Sequence, residues 1–197
     1  MKRFASSFAL WLLVLAFLAA PNLLREEHDS THNREVSSLS SRLLGPFSEL
    51  AAQIQWIRVQ QAALEGSSEL ALVRAEKALA LDPTATEGWR FVAAYLALDL
   101  GSPNREADPS RRRALIQQAL EICERGEASA RSPEQLALWS GILLLTHAET
   151  DPDLDWPGGE AQLWKATARA FEHAVELGSL DAVPLAEQAR ERMLSKR

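Results

Sequence analysis

Hydrophobic positions recur every three or four residues through most of the chain beyond residue 46, and this spacing predicts amphipathic helices. Leu50, Ile54 and Ile57 show it first, and Gly66 ends that segment. Stretches rich in Pro, Gly, Ser and Asp separate one periodic segment from the next. The pattern predicts seven helices, at 46–65, 69–81, 87–100, 110–125, 133–148, 160–177 and 180–194.

Two polar insertions interrupt the series of predicted helices, at 102–109 and 150–159. Consecutive helices with short turns between them pack side by side, so the pattern predicts three helical hairpins followed by a terminal helix. The predicted fold class is therefore all-α, with a helical domain over 43–197. Residues 22–42 are polar and Ser-rich, which predicts a linker in front of that domain.

The first 21 residues have a different pattern. Residues 4–20 form an uncharged, mostly apolar run that follows Lys2 and Arg3 and ends at Pro21. We predict that 1–21 is a signal anchor, an N-terminal transmembrane helix, because Pro21 disfavours a leader-peptidase cut after Ala20. A cleaved signal peptide, or a buried N-terminal helix in a cytosolic protein, is the alternative.

Charge sets the expected orientation of that anchor. Lys2 and Arg3 keep the N-terminus in the cytoplasm, which places the C-terminal domain on the exported side. The chain has a single cysteine and so lacks the pairs typical of disulfide-rich exported proteins. We therefore expect a single-pass protein of the bacterial inner membrane, with its helical domain in the periplasm.

Composition and motifs argue against several function classes. The net charge of -6 argues against a nucleic-acid partner, because nucleic-acid backbones attract basic surfaces. Because Cys123 is the only cysteine, an internal disulfide and a multi-cysteine metal site are excluded. The favoured interpretation of Cys123 is a buried, inert thiol, and a reactive thiol beside Arg125 is the alternative. The sequence contains no phosphate loop, dinucleotide fingerprint or nucleophile elbow, so we predict neither an enzyme nor a cofactor.

The second insertion holds the best candidate for a metal site. Asp151, Asp153 and Asp155 alternate as in the opening of a calcium loop, but Trp156 stands where such a loop needs Gly and Gln162 where it needs Glu. The favoured interpretation is an acidic turn whose Trp156 packs back onto the helices, with calcium binding as the alternative.

A run of arginines, Arg111–Arg113, opens the fourth predicted helix, where positive charge opposes the helix dipole. We interpret it as a solvated run. A contact for an acidic lipid or protein is the alternative.

Three predicted second helices of the hairpins share an Ala-centred pattern, at Ala78, Ala119 and Ala174. After the first of them, Pro83 follows five residues later and Trp89 six residues after that. Together with Ala71, Val92 and Ala93, this junction resembles the tetratricopeptide repeat. The Ala positions are 41 and 55 residues apart, while that family repeats every 34 residues, and the two insertions can absorb the difference.

The resemblance implies a function in binding. In tetratricopeptide proteins the first helices of the hairpins line a concave groove for peptides or protein partners. Transferred to this chain, it implies a partner-binding face with these residues: Gln53, Trp56, Gln60, Glu87, Arg90 and Ala94. Core packing of Trp56, and a solvated or ion-paired Arg90, are the alternatives.

Together the anchor and the hairpins predict a membrane-tethered protein-protein interaction scaffold, which helps to assemble or stabilise an envelope complex. The alternative is an accessory structural subunit of an integral membrane complex, with the anchor packed against other membrane spans. The expected partners are a protein or peptide, and the membrane through residues 4–20.

Overall fold

Residues 47–195, which the computed structural model describes, form seven helices and no strand, so the predicted all-α class is confirmed for this part of the chain. The helices are α1 (Phe47–Leu64), α2 (Ser68–Leu81), α3 (Thr86–Ala94), α4 (Pro109–Glu127), α5 (Pro133–Thr150), α6 (Gly159–Glu176) and α7 (Ala182–Ser195).

The predicted helix boundaries agree with the observed ones to within about two residues, with one difference inside the third helix. There α3 is followed without a break by a π-helical segment, Tyr95–Leu100. The Nε2–H of His147 on α5 donates to the carbonyl of Ala97 in that segment, at 3.0 Å. Burial lowers the pKa of His147, so the ring is neutral and its Nε2 carries the proton.

Each helix contacts the next along the chain, and α3 also contacts α5. The first helices of the second and third hairpins, α3 and α5, are therefore in contact, so these two hairpins pack against each other. One core cluster, around residues such as Ala75, Trp89 and Ile116, joins α1 to α5 and includes Leu163 of α6. A second, around Trp164 and Phe171, joins α5, α6 and α7.

The turn between α2 and α3 is built by the residues that carried the family resemblance. Ala78 is fully buried at the end of α2. Asp82 accepts hydrogen bonds from the backbone N–H and the hydroxyl of Thr84, at 3.1 and 2.7 Å. The indole N–H of Trp89 donates to the carbonyl of Pro83 at 2.8 Å, which fixes the start of α3 against the turn. Local hydrogen bonds of this kind hold a helix–turn–helix angle.

The two polar insertions are joined by the arginine run. The guanidinium of Arg112 forms a bidentate salt bridge with Asp151, at 2.7 and 2.8 Å, and donates to the carbonyls of Glu106 and Ala107 at 3.1 and 3.0 Å. Only 4% of Arg112 is exposed, so the prediction of a wholly solvated run is wrong at this residue. The hydrogen bonds with Asp151 raise the pKa of Arg112 further and keep it charged.

The second insertion packs as predicted. Leu154 and Trp156 are partly buried and pack against the larger core cluster, which confirms that Trp156 turns the loop back onto the helices. Arg113 donates to the carbonyl and a carboxylate oxygen of Asp155, at 2.7 and 2.8 Å, and holds the loop onto α4.

The predicted anchor, 1–21, and linker, 22–42, lie outside the described residues. Between residues 47 and 195, no helix is both long enough and apolar enough to cross a bilayer.

Candidate binding surface

Three aromatic side chains form a row from α1 across α3 to the start of the π-helical segment. The ring of Trp56 meets Phe91 edge-on, with centroids 5.7 Å apart and planes at 74°. Phe91 stacks on Tyr95, with centroids 6.2 Å apart and planes at 4°. All three are half-buried. Gly88 makes the close approach possible, because a Cβ at that position would lie 2.6 Å from the Trp56 ring.

A cation–π pair lies where α3 packs against α5. The guanidinium carbon of Arg90 is 4.7 Å from the ring centroid of Trp139. Nη1 of Arg90 also binds a carboxylate oxygen of Glu87 at 2.9 Å. The side chain of Arg90 is 31% exposed, so its charge is held in position and still accessible to solvent.

The structure brings some of the predicted face together. Glu87 and Arg90 form an ion pair on α3, and Trp56 contacts that helix through Phe91. Gln53 and Gln60 are exposed on α1, and Ala94 is half-buried on α3. The alternatives considered for Trp56 and Arg90 are also present. Trp56 packs against the larger core cluster, and Arg90 has a local ion-pair partner in Glu87.

Sequence reasoning missed Phe91, Tyr95 and Trp139. The first two are four residues apart on one helix, and that spacing could have revealed them as neighbours on one face. The contact of Trp139 with Arg90 depends on the packing of α3 against α5, which no local pattern contains.

A shallow groove of about 260 Å³ lies between α4, α5 and α6. Its lining combines small and apolar side chains with acidic ones, including Leu120, Glu124, Ala137, Ser140, Leu144 and Ala170. Glu127 and His173, which also line it, are bridged at 2.9 Å. This bridge joins α4 to α6 across the groove.

Two of the three aspartates of the calcium alternative have other partners. Asp151 is bound to Arg112, and Asp155 to Arg113 and, at 3.3 Å, to the hydroxyl of Ser110. Throughout the part of the chain that the structure describes, no group of three or more His, Cys, Asp or Glu side chains is arranged to hold a metal ion.

Cys123 is fully buried, and burial raises the pKa of its thiol from 9.0 to about 11, against a lowering contribution from the Ser140 hydroxyl.

We expect thiol reagents at pH 8 to modify the folded chain at least ~100-fold more slowly than the unfolded chain, because the thiolate is scarce and inaccessible. A raised folded-state pKa also means that stability falls as the pH rises from 9 towards 11. Labelling kinetics measure the rate of thiol modification, and thermal melts between pH 9 and 11 measure the loss of stability. The Cys123→Ala variant should lack the part of that loss that comes from the thiol. Equal labelling of folded and unfolded chain would contradict this.

The junction formed by Ala78, Pro83 and Trp89 is thus a turn held by burial and a hydrogen bond, and the surface beside it is aromatic and cationic. The likeness to tetratricopeptide proteins rests on the residues of this junction and remains a resemblance. Comparison of the chain with protein-family models, with curated proteins and with solved structures found no match.

Proposed function

We propose that this protein is a membrane-tethered scaffold that binds a protein or peptide partner through a surface formed by α1, α3 and α5. The observation that supports the proposal most directly is the cluster of Arg90 and four aromatic side chains on adjacent helices. Trp, Tyr and Arg are the residues most enriched among those that dominate the free energy of protein–protein association.

The geometry favours binding because the cluster is already ordered. Trp139 and Glu87 hold Arg90, and Gly88 lets the Trp56 ring approach α3 closely, so little side-chain entropy remains to be lost on association. A guanidinium that is held on an indole and partly exposed suits a partner with carboxylate or carbonyl acceptors beside an apolar group.

The tether and its side of the membrane are part of the proposal and rest on the sequence. The apolar run at 4–20 and the cations before it support an anchor with an exported domain. The absence of catalytic motifs from the sequence and the resemblance to tetratricopeptide repeats support an interaction role. We propose that the scaffold assembles or stabilises a protein complex of the bacterial envelope.

A photo-crosslinking residue at Gln60, in the full chain in native membranes, tests the surface. We expect one reproducible crosslinked partner from Gln60 that is a different protein from this chain, and none from Gln188, an exposed glutamine on α7. Arg90→Ala should reduce the yield about tenfold or more, since truncating such a residue costs on the order of 2 kcal/mol of binding.

Arg169→Ala is the matched control, because that arginine is exposed on α6 and should leave the yield unchanged. Circular dichroism of each variant confirms that the helices are intact. Equal crosslinking from Gln60 and Gln188, or a yield at Gln60 that Arg90→Ala leaves unchanged, would refute the proposed surface.

A further inference from the structure

The first helix, α1, is apolar on two opposite faces. One face carries Ala52, Val59 and Ala62, which are buried against the rest of the domain. The other, which we call the outer stripe, is exposed to solvent. Its members and their exposed fractions are Phe47 61%, Leu50 54%, Ile54 37%, Ile57 65% and Leu64 90%. A contiguous apolar face on a helix is normally buried, so the outer stripe is a surface that lacks its cover among the described residues.

The outer stripe follows a seven-residue repeat. Phe47, Ile54 and Gln61 are each seven residues apart, and so are Leu50, Ile57 and Leu64. The two sets are offset by three residues, which is the spacing of the positions that interlock when two helices pair along their length. Gln61 is the one polar member. A single polar residue at such a position is tolerated and fixes the register of the pair.

We propose that the outer stripe docks on the outer stripe of a second copy of this chain, in a twofold-symmetric pair. A twofold contact joins a patch to itself, so the patch must not repel its own copy. Three of the four residues that flank the stripe, Ala51, Gln53 and Gln60, are uncharged, and Arg58 is the fourth. A face designed for an anionic lipid surface would instead carry several flanking cations.

The size of the outer stripe agrees with a reversible pair. At roughly 100 Å² for each apolar side chain, two copies bury on the order of 1,000 Å². This is close to the smallest area found for specific interfaces, which are often transient. Arg90 lies on α3 and Trp139 on α5, so neither is a member of the outer stripe, whereas Gln53 and Gln60 of the predicted partner face flank it. The dimer would present two copies of the proposed binding surface to one partner complex.

The oligomeric state of the full chain in a mild detergent tests the pair, measured by analytical ultracentrifugation between about 1 and 100 µM, the range expected for an interface of this size. We expect a monomer–dimer equilibrium whose dissociation constant rises at least tenfold in Ile57→Glu, because the new carboxylate faces its own copy. Leu180→Glu is the matched control, since Leu180 is 82% exposed in the turn before α7 and outside the stripe. A monomer at every concentration, or a dimer that Ile57→Glu leaves intact, overturns the proposal.

A covalent crosslink provides the second measurement. In a Cys123→Ala background, Ile54→Cys lies near the middle of α1, so a short bismaleimide should join two copies whether the helices run parallel or antiparallel. Gln188→Cys on α7 should give at least tenfold less dimer. No crosslink at Ile54→Cys, or as much crosslinked dimer at Gln188→Cys as at Ile54→Cys, would overturn the pair.

Discussion

Replacing Asp151 with Ala is expected to lower the free energy of unfolding by about 3–5 kcal/mol, the cost of leaving one member of a buried ion pair without its partner. The two side chains of the Arg112–Asp151 pair are 4% and 2% exposed. The guanidinium that remains is therefore only poorly solvated. The carbonyls of Glu106 and Ala107 still accept from Nη1, but they carry no full charge to replace the carboxylate.

Two further variants separate the charge effect from a packing effect. The double variant Arg112→Met/Asp151→Leu should recover most of the lost stability, because a well-packed apolar pair is often as stable as a buried ion pair. Asp155→Ala removes the neighbouring pair with Arg113, whose side chains are 28% and 61% exposed, and should cost less than about 1 kcal/mol. Thermal melts of the full chain followed by circular dichroism measure all three. An Asp151→Ala variant as stable as Asp155→Ala would show that the buried pair does not join the insertions.

Phe171→Ala is expected to cost about 3–5 kcal/mol, because Phe171 is fully buried between α5 and α6 and its removal leaves a cavity. The ring lies directly against Gly141 of α5. A Cβ at position 141 would overlap the ring, so the two helices come this close only because position 141 has no side chain.

This contact predicts a change of sign in a double-mutant cycle. In the native background Gly141→Ala should destabilise by about 1–3 kcal/mol, since overpacking outweighs the gain of about 1 kcal/mol in helix propensity. In the Phe171→Ala background the same substitution should stabilise, because the clash is gone and the propensity gain remains. Denaturant titrations of the four chains supply the cycle. A Gly141→Ala effect of the same sign in both backgrounds would rule out the close contact as its cause.

The all-α class, the number of helices and most of their ends followed from local patterns. Apolar periodicity, helix-starting prolines such as Pro133 and stop signals such as Asp82–Pro83 act over a few residues, so they can be recognised before any packing is known. The turn around Ala78 and Trp89 was predictable for the same reason.

Other features depended on residues that are distant in sequence. The arginine run carried no sign of which guanidinium would be buried, because the partner of Arg112 is 39 residues away. Trp139 could not be assigned to the candidate surface, since Arg90 reaches it only where α3 crosses α5. Helical periodicity predicted that Leu50, Ile54 and Ile57 lie on one apolar face of an amphipathic helix. Only the packing of α1 showed that Ala52, Val59 and Ala62 form the buried side and that the larger side chains lie outside.

By itself, then, the sequence determined the helices and the turns between them, because hydrogen bonding and side-chain preferences within a few residues decide those. The tertiary structure alone decided which face of each helix is buried, which charges are paired and which aromatic rings meet. These outcomes depend on how side chains fill the space between helices, and that is a property of several segments at once.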